Sequence, residues 1–130
     1  MQRVTGIREI FSRAKDPEAL ARWYQDHLGI KLTPSSYDEE PWSQEAGVTV
    51  FAPFAQDTDS FGRAAQQWMI NFRARDLDAM VVEHVRAANV NVCMDPEQYP
   101  NGRFARLHDP EGNPIELWQP KPEAKQPFMH

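Results

Sequence analysis

The chain has 130 residues and a mass of 15.0 kDa, which fits one domain and excludes two large ones. With 41% hydrophobic, 11% aromatic and 25% charged residues it can supply both a core and a polar surface, which argues against disorder over most of its length. A formal net charge of −5 without a basic block argues against a nucleic-acid partner, and the single cysteine, Cys93, excludes an intrachain disulfide and a thiolate-rich metal centre.

The first predicted element is an extended run, Ile7 to Ala14. Asp16-Pro17-Glu18 then reads as a helix start: an N-cap acceptor, a proline at the first helical position and an acid at the positive end of the dipole. Leu20, Trp23, Tyr24 and Leu28 recur at helical spacing, and Gly29, which tolerates a left-handed backbone, ends the helix. Tyr37 to Gln44, including Trp42, reads as a loop, and Val48 to Ala52 as a strand stopped by Pro53. Gln56 to Gln67 reads as a linker or lid. A second extended run covers Met69 to Ala74. Asp76 then opens a second helix with the stripe Leu77, Met80, Val81, Val85 and Ala88, closed by Asn89. Gly102 to His108, the turn Asp109-Pro110-Glu111-Gly112-Asn113 and Ile115 to Trp118 read as a β-hairpin, followed by a tail, Lys121 to His130. No run nears the roughly 20 apolar residues of a membrane span and no apolar leader is visible, so a cytoplasmic protein without membrane partners is expected.

The chain also repeats itself. Laid so that Arg13 meets Arg73, Arg13-Ala14-Lys15-Asp16-Pro17-Glu18-Ala19-Leu20 is identical to or conservatively replaced in Arg73-Ala74-Arg75-Asp76-Leu77-Asp78-Ala79-Met80 at every position but Pro17/Leu77, and Gly29-Ile30-Lys31-Leu32 falls over Asn89-Val90-Asn91-Val92. Each half therefore reads as strand, helix, then two or three strands. The chain is one domain over residues 1–130, built of modules at about 5–55 and 68–120, neither expected to be stable alone.

Two βαβββ halves, a helix opening with Asp16-Pro17-Glu18-Ala19-Leu20-Ala21-Arg22-Trp23-Tyr24, and the element Asp109-Pro110-Glu111-Gly112-Asn113-Pro114-Ile115-Glu116-Leu117 resemble the glyoxalase / bleomycin-resistance / extradiol dioxygenase group, the vicinal oxygen chelate superfamily. The resemblance implies an α+β fold in which two βαβββ modules form a curved mixed sheet around a cup that binds a small ligand, usually with a metal. It also implies a homodimer.

Alternation along the strands assigns side chains to that cup. Ile10, Ser12 and Ala14 share one face and Glu9, Phe11 and Arg13 the other; the repeat puts Ile70, Phe72 and Ala74 on the first face and Met69, Asn71 and Arg73 on the second. Apolar Ile10, Ile70 and Phe72 suit packing beneath helices, which turns Glu9 and Met69 into the cup. Ile115 and Leu117 then face the core, and Glu116 and Trp118 the cup, matched in the first half by Thr49 and Phe51. The candidate ligand-binding residues are Phe11, Trp42, Thr49, Phe51, Met69, Asn71, Arg103 and Trp118.

Metal ligands, by the resemblance, stand at Glu9, Thr49, Met69 and Glu116. Only the two carboxylates are good donors, and none of the four histidines stands at these positions. Glu9 and Glu116 are thus the candidate catalytic and metal residues. They suit a loosely held Mg²⁺, Mn²⁺, Ni²⁺ or Zn²⁺, and no tightly bound cofactor is expected. If they share the cup without metal, their repulsion raises the pKa of one, as a general acid or base requires. The bland alternatives are that Glu116 pairs with Arg13, Arg73, Arg103 or Arg106, that Glu9 is partly solvated, and that Met69 and Trp118 only pack. Cys93 reads as a buried inert thiol, His27 and His108 as solvated or carbonyl-bonded, and His84 as a core or interface residue. Tyr99, Asn101 and Arg103 suit either a ligand's polar groups or a turn.

Three functions follow, two of them in detail. One is a glyoxalase-like enzyme, lyase, isomerase or dioxygenase in type, whose metal at Glu9 and Glu116 chelates two oxygens of a small metabolite and stabilises an anion while a carboxylate moves the proton. The other is a metal-free protein that sequesters an aromatic or cationic compound among Phe11, Trp42, Phe51 and Trp118; the net charge favours a cation slightly. A sensor or scaffold without turnover is a third.

Overall fold

A computed structural model describes residues 1–82 and 90–122. In chain order these form α1 (Pro17–Leu28), β1 (Ile70–Arg73), α2 (Leu77–Met80), β2 (Cys93–Met94), β3 (Gly102–His108) and β4 (Pro114–Pro120). The strands make one mixed sheet in the order β1-β4-β3-β2, with β1 parallel to β4 and the other pairs antiparallel. The fold is α+β, as expected.

Both helix starts follow the repeated sequence. Asp16 accepts from the Ala19 amide at 3.1 Å and Asp76 from the Ala79 amide at the same 3.1 Å, so each aspartate satisfies a donor that the first turn leaves unpaired. Gly29, at φ 74°, ends α1 with its own amide on the Gln25 carbonyl and the Ile30 amide on that of Tyr24. His84, Val85, Ala88 and Asn89 lie outside the described residues, as does the tail beyond Pro122.

The core sits on one face of the sheet. Ala105 and Leu107 of β3 and Ile115 and Leu117 of β4 are buried with Ala74, Leu77 and Val81, and Trp23, Tyr24 and Leu28 of α1 pack against them. The alternation expected for the last strand is present: Ile115 and Leu117 point into the core and Glu116 away from it.

The first half departs from its expected strands. Ile7 to Ala14 and Val48 to Ala52 join no strand ladder, and Ile7, Ile10, Phe11, Val50 and Phe51 stand exposed. Ile10, expected beneath the helices, is in solvent. An alternating pattern only prepares a segment for a sheet; a strand exists when a neighbour supplies the ladder hydrogen bonds, and among the described residues none does so here. The described sheet comes entirely from the second half, with α1 of the first half docked on it.

That docking runs through the Asp109–Asn113 turn. Asp109, 5% exposed, accepts from the amides of Glu111 (2.9 Å) and Asn113 (3.0 Å), from Asn113 Nδ2 (2.8 Å) and from the Tyr24 hydroxyl (2.7 Å). The Glu111 carboxylate accepts from the amides of Lys15 (2.7 Å) and Asp16 (3.0 Å), at the start of α1. A matching clamp runs the other way. Arg75, the repeat partner of Lys15, gives Nη2 to both oxygens of Glu45 at 2.7 Å, and Arg73 gives its two Nη groups to the carbonyls of Val48 (2.8 Å) and Glu45 (2.7 Å). Each half thus grips the segment that opens the other's helix.

Burial, and then its donation to the Asp109 carboxylate, hold the Tyr24 phenol protonated well above its ordinary range. A phenol whose pKa is raised on folding lends stability that is complete below about pH 10 and is lost as pH climbs through the raised value. Tyr24→Phe is expected to cost roughly 1–2 kcal/mol at neutral pH and to flatten the fall in urea midpoint between about pH 9 and 11. Equilibrium unfolding across that range checks both.

Candidate functional site

The sheet face turned away from the core carries the polar and aromatic side chains. Register places Asn71 beside Glu116, Glu116 beside Arg106 and Arg106 beside Cys93 in one row; Arg73, Trp118 and Phe104 form the next. Residues directly opposite each other on neighbouring strands share a face, so each row is a set of neighbouring side chains.

Glu116 is the centre of the first row. Its side chain is 17% exposed; Oε1 accepts from Asn71 Nδ2 at 2.9 Å and Oε2 from Arg106 Nε at 3.1 Å. Of the four arginines open to it from the sequence, Arg106 is the partner, because it occupies the facing position on β3. Arg106 stays 48% exposed and extends Nη1 to the Ser60 carbonyl at a long 3.4 Å, which brings the 56–67 segment to the rim of this face.

The second row is aromatic. Trp118 donates its indole N–H to the Asn101 carbonyl at 2.9 Å, and Phe104 meets Tyr99 edge-on with ring centroids 5.7 Å apart. The Tyr99 hydroxyl donates to Asp95 Oδ2 at 2.7 Å. That bond, with burial second, pushes the Tyr99 phenol up to about 12 and holds the Asp95 carboxyl below its ordinary value. Spectrophotometric titration is therefore expected to show the Tyr99 phenolate forming near pH 12, and Asp95→Asn to move it back toward pH 10.

Several expected site residues stand elsewhere. Arg103 shares its face with Ala105 and Leu107, so it points to the helix side and makes a two-pronged pair with Asp78 of α2 at 3.1 Å rather than reaching a ligand. Cys93 is exposed, not buried, because its register partner is Arg106 on the open face. Phe11 and Phe51 are 83% and 87% exposed on unpaired backbone, and Trp42 and Thr49 are exposed as well. Glu9 pairs with its neighbour Arg8 at 2.8 Å. Met69 is half-buried just ahead of β1. Among the described residues, no group of three or more His, Cys, Asp and Glu is placed to hold a metal ion.

Asn71, Glu116 and Trp118 are therefore brought together as the alternation argued. Arg106 is confirmed as one of the partners considered for Glu116, whereas Phe104 and Asp95 were missed. The signal for Phe104 is its parity: it alternates with buried Ala105 on the hairpin strand facing Trp118. Asp95 depends on β2, too short to be read from sequence.

No helix among the described residues is long and apolar enough to cross a membrane. No curated protein matches the chain significantly. Among solved structures it is similar to TnmS3, an antibiotic binding protein from Streptomyces sp. CB03234, at 23% identity and a TM-score of 0.60, over 93% of this chain and 100% of that one. It is also similar to a protein of unknown function from Agrobacterium tumefaciens str. C58, at 19% identity and a TM-score of 0.53, over 91% and 98% of the two chains. A Bacillus anthracis protein assigned to the glyoxalase family gives 19% identity and a TM-score of 0.51, over 88% and 100%. These likenesses concern the fold. The family model of the glyoxalase-like domain matches residues 9–118, and the chain belongs to that family within the vicinal oxygen chelate superfamily.

Proposed function

We propose that the chain binds a small oxygenated aromatic molecule on the face of Asn71, Glu116, Arg106, Trp118 and Phe104, without metal and without turning it over. The observation that carries this is the Glu116–Arg106 pair: a carboxylate 17% exposed, held at both oxygens, beside aromatic side chains on a face the core does not use. Open to water through Arg106, the pair adds little to stability, so its placement among aromatics suits recognition better than folding. The antibiotic-binding neighbour supports the same reading.

The donor set does not suit a divalent ion. Both Glu116 oxygens already accept hydrogen bonds, Glu9 is paired with Arg8, and Thr49 and Met69 are weak donors. After incubation with Mg²⁺, Mn²⁺, Ni²⁺ and Zn²⁺ and desalting, elemental analysis is expected to find far less than one ion per chain. A stoichiometric ion that disappears in Glu116→Gln would overturn the reading in favour of metal-assisted chemistry.

We further propose that the chain is a homodimer. Ile7, Ile10, Phe11, Val50 and Phe51 lie exposed on segments with strand-like sequence, and a second copy is the partner that covers them. Light scattering is expected to give twice the 15.0 kDa chain mass, and Phe11→Asp with Phe51→Asp to return it to one.

A further inference from the structure

Building on that binding reading, we infer that the ligand of this face is a planar aromatic bearing an anionic oxygen group, a carboxylate or phenolate, although the chain as a whole is acidic. The overall charge of −5 alone suggests a cationic ligand. The face tells otherwise, because every oxygen of its acids already has a donor whereas its guanidinium groups keep N–H donors to spare. Glu116 gives one oxygen to Asn71 and the other to Arg106. Asp95, at the β2 edge, accepts from the Tyr99 hydroxyl at 2.7 Å and from the Glu97 amide at 3.0 Å. Each oxygen of both carboxylates therefore already accepts from a protein donor.

The guanidinium groups differ. Arg106 uses Nε on Glu116 and Nη1 only at 3.4 Å, its Nη2 has no hydrogen-bond partner among the described residues, and the side chain is 48% exposed. Arg73 gives its two Nη groups to backbone carbonyls, which satisfy donors without neutralising charge; the nearby Glu45 carboxylate goes to Arg75. The two arginines stand on either side of β4, Arg73 directly opposite Trp118 and Arg106 directly opposite Glu116. A flat ring on Trp118 and Phe104 thus places its oxygen substituents toward guanidinium N–H groups, the geometry in which charge-assisted hydrogen bonds are strongest.

Three probes of one shape and different charge test this: 2-naphthoate, 2-naphthalenemethanol and 2-naphthylmethylammonium, titrated into the whole protein and followed by tryptophan fluorescence and ligand-observed NMR. The naphthoate is expected to bind about tenfold tighter than the alcohol, and the ammonium weakest. Its advantage is expected to shrink as salt rises while the alcohol is unaffected. Arg106→Gln is expected to abolish the advantage and Arg106→Lys to preserve it, with the circular dichroism of both variants unchanged, which separates loss of charge from loss of fold. If the ammonium binds as tightly as the naphthoate, the charge inference is overturned and the binding reading stands. If none of the three binds, both fall.

Discussion

Asp109→Ala is expected to lower the stability by roughly 4 kcal/mol and the Tm by about 10–20 °C, the largest effect of any single change in the β3–β4 turn. The carboxylate is nearly fully buried and accepts four hydrogen bonds, two from amides of its own turn, one from Asn113 Nδ2 and one from Tyr24. Removing it leaves those donors facing one another across a small void, and each orphaned buried donor costs about 1–3 kcal/mol. Two structural elements loosen together, since the turn positions Glu111 and Glu111 holds the amides that open α1. Asp109→Asn is expected to lose about half as much: its oxygen still serves the two turn amides, but its NH₂ meets Asn113 Nδ2. Urea unfolding of both variants, with hydrogen exchange over 15–28, checks the size and the coupling. Unchanged exchange in α1 would show that the turn does not hold the helix.

Gly102→Ala is expected to cost roughly 3 kcal/mol and to disturb Trp118. Gly102 has φ 137°, a region side chains avoid, and an added Cβ would lie 2.2 Å from the Gln119 carbonyl oxygen and 2.7 Å from Trp118 Nε1. The first contact is with backbone of the neighbouring strand, so relief requires β3 to move off β4. The second displaces the indole from the Asn101 carbonyl and takes the aromatic row apart. A red-shifted tryptophan emission with a lowered urea midpoint is the expected readout, together with weaker naphthoate binding. Gly6→Ala, with nothing within 4 Å, is the control expected to change nothing.

The parts legible in the sequence were those set by short-range rules. Asp16 and Asp76 cap their helices because a carboxylate three residues before an amide reaches it in any context, and Gly29 turns because it alone takes that backbone without strain. The hairpin from Gly102 to Pro120 followed from its turn residues, and the alternation of Ile115, Glu116, Leu117 and Trp118 fixed which faces they take once a core exists on one side. What failed had depended on distant partners. Phe11, Thr49 and Phe51 carry the pattern of strands, yet a ladder needs a neighbour that no local rule supplies. Arg103, read as reaching a ligand's polar groups or serving a turn, instead goes to the helix side, because its position in the strand shares a face with Ala105 and Leu107.

By itself, then, the sequence determined the helix caps and the hairpin, which rest on residues within one turn or one strand of each other, and the repeat and the family, which rest on matched residue patterns along the chain. Only the tertiary structure decided that Arg106 and Asn71 hold Glu116 while Glu9 pairs with Arg8, and that Asp109 and Glu111 tie the first helix to the last turn. The contacts that hold Glu116 and tie down the helix join residues 10 to 96 positions apart, and whether two such groups meet is set by sheet register and packing, which no spacing along the chain encodes.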